Sequence, residues 1–215
     1  PKGATVTHGN EINLLDWYIN EYAFTADDKM LVFSAFGFDL TQKNLFAPLV
    51  SGGTLVFADM DFFDASTISE TISNEKITLC NCAPSPFYSI VEESSDTALN
   101  SLRAVLFGGE PIKIRKLGPW IDSADFRCRI INMYGPTECT DITTTFNIDN
   151  PKKWLEENPE RPIPIGSPIT NVEVFVLDDD LQRVPPGLTG QLYIGGTSVG
   201  NGYLNSPDIT ADKFI

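Results

Sequence analysis

The clearest chemical signal in the sequence is Asn132 to Glu138, N-M-Y-G-P-T-E, at the end of an apolar, strand-length run from Arg129 to Met133. Gly135-Pro136 breaks a strand, so the residues after it lie in a loop at the strand's carboxyl end. A tyrosine ring there can stack on a purine, a threonine hydroxyl can bond a phosphate oxygen, and a carboxylate can hold Mg²⁺, which takes oxygen ligands and keeps phosphates beside it. The same letters also describe a polar turn with a buried tyrosine. A second candidate, Gly108-Gly109-Glu110-Pro111, closes the run Arg103 to Phe107. Glycines let backbone approach a flat ligand closely. They equally suit a tight strand-to-helix turn with Pro111 opening the helix.

These residues need a scaffold that brings strand ends together. Asn10 to Tyr22 carries Ile12, Leu15, Ile19 and Tyr22 at helical spacing, with Asn10 as the expected cap. Short apolar runs follow at Met30 to Ala35, Thr54 to Ala58, Ile77 to Cys82, Arg103 to Phe107 and Arg129 to Met133. Between them, Leu45 to Val50, Ser66 to Asn74, Pro86 to Glu93 and Ile112 to Ile121 have helical character. The alternation predicts an α/β fold: a parallel sheet joined by crossover helices, its strands continuously apolar because both faces are covered. Ligands on such sheets bind at the carboxyl ends of the strands. Beyond residue 146 the prolines at 151, 159, 162, 164 and 168 suggest an extended linker, then Val172 to Leu177 and Gly190 to Gly195 read as antiparallel strands before a helix at Pro207 to Ile215. The expected division is an α/β nucleotide- and substrate-binding part, 1–146, and a linker with a smaller antiparallel β region, 147–215.

The chain has 215 residues, 42% hydrophobic and 20% charged, enough to bury a substantial core. A formal charge of −14 argues against nucleic-acid binding, although backbone N–H groups and Mg²⁺ can reverse the local sign in a small pocket. Cys80, Cys82, Cys128 and Cys139 form no C-x-x-C pair and the single histidine, His8, lies far from them, so zinc is not expected. They read as reduced thiols, in keeping with a cytoplasmic protein. No apolar stretch approaches the roughly 20 residues of a membrane helix. Both ends of the sequence read as interior positions of a longer protein.

Taken together, the motifs resemble those of adenylation domains of non-ribosomal peptide synthetases, members of the ANL superfamily of adenylate-forming enzymes. N-M-Y-G-P-T-E matches the family's N-x-Y-G-P-T-E. Pro1-Lys2-Gly3 is similar to the tail of its phosphate loop, and Phe38-Asp39-Leu40-Thr41 to F-D-x-S with Thr41 in place of serine. Gly190 to Gly196 and Gly202-Tyr203-Leu204 are similar to the segment ending in R-G-Y-L, with Asn201 in place of arginine. His8 stands where the family often has a histidine, and a structural role beside the helix is the expectation for it.

The resemblance implies ATP, bound as AMP in the product, and Mg²⁺. Asn132 and Tyr134 would contact the adenine edge and face, with Met133 and Gly135 beside them and Gly108, Gly109, Glu110 and Pro111 on the other side. Thr137 would meet the α-phosphate and Glu138 the metal, the two residues expected to be catalytic. Asp39 would accept a charge-assisted hydrogen bond from the substrate's α-ammonium group; read locally, it is equally an N-cap for a helix from Thr41 to Val50. Asp39, Leu40, Lys43, Asn81, Leu106, Gly108, Met133, Asp141 and Ile142 fall at the family's side-chain-pocket positions. Buried charges persist only when paired. Lys43 and Asp141 therefore suggest a polar or charged substrate side chain, unless they pair with each other and leave the apolar members to bind.

The implied reaction joins an amino acid to AMP and passes the acyl group to a phosphopantetheine thiol on a peptidyl carrier partner. The phosphate-loop body, the ribose-binding aspartate and the catalytic lysine of the family are not among these residues, so the 215 residues alone are expected to be inactive. An acyl- or aryl-CoA ligase fragment, or a specificity subdomain without catalysis of its own, are the alternatives.

Overall fold

A computed structural model describes residues 2–95, 97–159 and 161–215, so Pro1 of the phosphate-loop-like tail lies outside the described residues. In chain order the elements are β1 (Ala4–Thr5), α1 (His8–Glu21), β2 (Lys29–Val32), α2 (Leu40–Ser51), β3 (Thr54–Phe57), α3 (Ala65–Glu75), β4 (Leu79–Cys82), α4 (Pro84–Glu93), β5 (Ala104–Phe107), α5 (Gly118–Ile121), β6 (Arg129–Tyr134), β7 (Thr144–Ile148), α6 (Pro151–Glu157), β8 (Ser167–Pro168), β9 (Val172–Leu177), β10 (Gln191–Gly196), β11 (Gly202–Tyr203) and α7 (Pro207–Lys213). Among the described residues a seven-stranded sheet runs in the order β3-β2-β4-β5-β6-β7-β8. Its first five strands are parallel, and β7 and β8 add antiparallel at one edge.

Strand alternation splits the core in two, because successive side chains point to opposite faces. Leu31, Cys80, Cys82, Val105, Phe107 and Ile130 join the core beneath α3, α4 and α5. Met30, Val32, Leu79, Ala104, Leu106, Ile131 and Met133 join the one beneath α1 and α2. This explains why the central parallel strands carry apolar side chains on both faces, with Asn81 of β4 and Asn132 of β6 as polar exceptions. Phe87 anchors the first core, with ring centroids 5.3 Å from both Phe107 and Trp120. Truncating it to alanine is expected to cost about 3–5 kcal/mol.

Several local expectations change. The cap of α1 is Thr7, whose hydroxyl accepts from the Asn10 backbone N–H, while the Asn10 side chain accepts from the Thr7 N–H in a reciprocal capping box. Asn10 also reaches forward to donate to the Thr197 carbonyl at 2.6 Å. The segment expected as a helix from Ile112 is a 3₁₀ turn, Ile114–Leu117, running into the short α5, because Gly118-Pro119 interrupts the pattern. The stretch after residue 146 is not merely extended. β7 crosses that boundary, α6 forms behind an Asn150 cap with Pro151 at its start, and β8 returns to the sheet. The two later strands pair antiparallel as β9 and β10, Val172 to Leu177 against Gln191 to Gly196. Among the described residues no helix is long and apolar enough to cross a membrane.

Candidate active site

The carboxyl ends of β2, β4, β5 and β6 open onto one cleft of about 220 Å³. Each strand end supplies part of its wall. The segment after β2 brings Phe38, Asp39, Leu40 and Lys43; β4 brings Asn81 and Ala83; β5 is followed by Gly108, Gly109 and Glu110; β6 ends in Met133 and Gly135, with Asp141 and Ile142 returning from the loop beyond. Asn81 and Met133 share a sheet face with Leu79 and Ile131, two residues back along each strand. That face is covered by α1 and α2, which is why these side chains meet the start of α2.

The loop after β6 is tightly wound. A Cβ on Gly135 would lie 2.1 Å from the Asp141 carbonyl oxygen, so glycine is required where the loop doubles back. Thr140 and Asp141 both adopt left-handed backbone, with φ of 56° and 66°. Such strain costs on the order of 1–3 kcal/mol per residue and persists only where the surroundings impose it. The surroundings here are specific: the Thr140 hydroxyl donates to the Ser198 carbonyl at 2.8 Å, and the Gly200 N–H donates to the Glu138 carbonyl at 2.8 Å. Gly109, with φ of 82°, sits in the left-handed region glycine favours, so its identity also answers to the turn after β5.

Both local and distant partners hold Asp39. It precedes the first residue of α2, its Oδ1 accepts from the Leu40 N–H at 2.8 Å, and its Oδ2 accepts from the Thr137 hydroxyl. Lys43, 1% exposed, forms an ion pair with Asp141, donates to the Leu40 carbonyl at 3.2 Å and lies 5.9 Å from the centroid of the Tyr18 ring. Burial pushes the Asp141 carboxyl above the usual range, and Lys43 acts in the opposite direction. The two unusual charges thus satisfy each other, which removes the reason for requiring a charged ligand to do so.

Other expected site residues lie around this cleft rather than in its lining. Leu106 is fully buried beneath it. Pro111 follows the glycine turn. Tyr134 stays 38% exposed. Thr137 lines an adjoining recess with Asp39, Asp141 and Glu11. Glu138 faces a third recess beside Tyr203, whose hydroxyl donates to its Oε1 and whose own ionisation is thereby pushed up to about 12. Asn132 is buried in β6 and donates from Nδ2 to the Pro164 carbonyl at 2.8 Å. Sequence reasoning passed over Ala83, although its position after β4 is where strand-end ligands bind. It also passed over Glu11, a carboxylate in the first turn of a helix with no motif around it.

Comparison with known proteins identifies the family and the fold. The family described as AMP-binding enzyme matches residues 1–204. All of the chain aligns with a dimodular nonribosomal peptide synthase of Bacillus subtilis (strain 168), 35% identical over 216 residues, and with gramicidin S synthase 2 of Brevibacillus brevis, 36% identical over 218. It spans only 9% and 5% of those two proteins. It also superposes along its whole length, with a TM-score of 0.89 and 28% identity, on 24% of the crystallised nonribosomal peptide synthetase FmoA3 in its alpha-methyl-L-serine-AMP bound form. With its motifs, fold and strand-end cleft all of one kind, the chain belongs to the AMP-binding enzyme family and is similar throughout to non-ribosomal peptide synthetases.

Proposed function

We propose that these residues form the substrate-selecting centre of an adenylation domain that activates an amino acid with ATP and delivers it to a carrier-protein thiol. The observation carrying this reading is the convergence of Asp39, Gly108 to Glu110, Gly135 and Asp141, from separate stretches of chain, on one cleft. An oxygen of the amino-acid carboxylate attacks the α-phosphorus of ATP, the new P–O bond forms, and the bond to pyrophosphate breaks with its electron pair leaving on pyrophosphate. The acyl group then passes to a phosphopantetheine thiol with release of AMP.

In this reading Asp39 holds the α-ammonium group, and Thr137, which donates to Asp39, meets an α-phosphate oxygen. Tyr134 offers its ring to the adenine, opposite Gly108 to Pro111. Asn132 has committed its amide nitrogen to Pro164, which leaves its carbonyl oxygen as an acceptor suited to the adenine amino group. Among the described residues no group of three or more His, Cys, Asp or Glu could hold a metal ion. A lone carboxylate such as Glu138 fits Mg²⁺, which binds through one or two carboxylates plus substrate phosphates. When bound, the ion offsets charge developing at the phosphates.

An ATP–pyrophosphate exchange assay on the complete adenylation domain containing these residues tests the reading. Exchange stimulated by amino acids is expected. Stimulation only by simple carboxylic acids, with CoA-thioester formation, would instead make it an acyl- or aryl-CoA ligase. The 215 residues alone should bind nucleotide weakly and form no adenylate, because they lack the phosphate-loop body, the ribose-binding aspartate and the catalytic lysine.

A further inference from the structure

Among the described residues, the buried polar atoms without partners that belong to the linings of the cleft and its adjoining recess are Oδ1 of Asn81 and Oε1 of Glu11, both acceptors. Asn81, 2% exposed and part of the lining, donates from Nδ2 to the Leu106 carbonyl at 2.8 Å, while its Oδ1 is buried without a partner. Turning the amide over would set oxygen against oxygen at Leu106, so the nitrogen and oxygen positions follow from the neighbours. Asn44, fully buried on α2, donates to the Asn81 backbone carbonyl at 3.3 Å, and its own Oδ1 is also unpartnered. In the recess that shares Asp39 and Asp141 with the cleft, Oε1 of Glu11 is buried without a partner. Burial first, and then the charge of Asp141, raise the Glu11 carboxyl above its usual range against the pull of Lys43.

The one cation in these two linings, among the described residues, has no need of a ligand. Lys43 already donates to Asp141 and the Leu40 carbonyl and lies against the Tyr18 ring. An anionic substrate side chain would have to displace Asp141 and would meet Asp39, Asp141 and Glu11 as like charges. An apolar side chain would leave the buried oxygens unsatisfied, at a cost of about 1–3 kcal/mol for each such group.

We infer that the amino acid selected by this cleft carries a hydrogen-bond donor on its side chain, a hydroxyl, amide or ammonium group, which it presents to Oδ1 of Asn81. This rests on the cleft being the amino-acid site, as proposed above. Asn81 is then the residue that tells a donor-bearing side chain from an apolar one of the same shape. A site built around such a bond rejects the analogue lacking the donor far more strongly than a missing methylene would.

The test is an exchange assay on the complete adenylation domain with shape-matched pairs: threonine against valine, serine against 2-aminobutyrate, glutamine against glutamate, ornithine against norleucine. In the preferred pair, kcat/KM for the donor member should exceed that of its partner by about ten-fold or more. The variant Asn81→Leu should bring that ratio toward one while KM for ATP stays unchanged, a split that general loss of folding does not produce. Strongest exchange with valine, leucine, phenylalanine or glutamate would overturn the inference and leave amino-acid activation standing, as would an unchanged ratio in Asn81→Leu. Exchange with no amino acid would overturn the reading of the domain and the inference with it.

Discussion

The Thr137 hydroxyl donates to Oδ2 of Asp39, joining residues 98 positions apart. With Oδ1 held by the Leu40 N–H, the carboxylate is oriented before any ligand arrives. The group proposed to hold the ammonium therefore touches the group proposed to meet the α-phosphate. Asp39→Asn preserves the shape and removes the charge. Since hydrogen bonds to charged groups contribute about 1.5–3 kcal/mol, kcat/KM for the amino acid should fall roughly 10- to 100-fold. KM for ATP should hold steady; a matching loss of ATP binding would count against the assigned role.

The buried Lys43–Asp141 pair makes a stability prediction. Lys43→Met leaves a carboxylate stranded, and breaking a buried pair on one side costs on the order of 3–5 kcal/mol. The double variant Lys43→Met with Asp141→Asn, which removes the stranded charge and keeps a residue suited to the left-handed backbone at this position, should recover much of the loss. Urea unfolding of the two single variants and the double variant checks this; additive losses would mean the charges are independently solvated.

Asp28 binds Arg103 through Nε at 2.6 Å and Nη2 at 2.9 Å, and also accepts from Thr78 and the Thr25 N–H. Burial raises its carboxyl, but those hydrogen bonds outweigh it and hold the group below the usual range. A depressed folded-state value contributes stability that is complete above the unfolded value of about 3.9 and is lost as pH falls through the folded one. Asp28→Asn should lower stability at neutral pH and flatten the acid side of the stability curve below about pH 4. Urea midpoints measured from pH 7 down to 3 read this directly. Parallel curves for the two proteins would contradict it.

All four cysteines are buried and unpaired. Burial pushes the Cys82 and Cys128 thiols well up and that of Cys139 to about 11. Since the thiolate is the reactive form, Ellman's reagent at pH 8 should label the native protein slowly and release four equivalents on denaturation. Rapid native labelling would show that the strand packing opens readily.

Tyr203 restrains Glu138 through its hydroxyl. If Glu138 meets Mg²⁺, Tyr203→Phe should raise the magnesium concentration for half-maximal exchange several-fold with little change in melting temperature, because the ring and its contact with Phe214 remain. An unaltered magnesium dependence would remove Tyr203 from the positioning of this carboxylate.

Much of this was legible in the residues alone because it is local chemistry. Continuous apolar runs alternating with helical periods dictate a parallel sheet covered on both faces, and Gly135-Pro136 after β6 puts Thr137 and Glu138 at a strand end. Capping was less legible: Asn10 is the expected cap of α1, whereas Thr7 caps it and Asn10 is its partner three residues on, with its side-chain nitrogen donating to the distant Thr197 carbonyl. The same holds for α6 and β8, whose prolines mimic a linker until Asn150 caps the helix and Thr144 pairs with Pro168. Which charges and oxygens face one another was decided by packing over long sequence distances. The meeting of Lys43 with Asp141, the dividing of Thr137 and Glu138 between separate recesses, and the unpartnered oxygens of Glu11 and Asn81 depend on strand register and on how α1 and α2 lie across the sheet. Those are properties of the whole assembled core, and no window of neighbouring residues contains them.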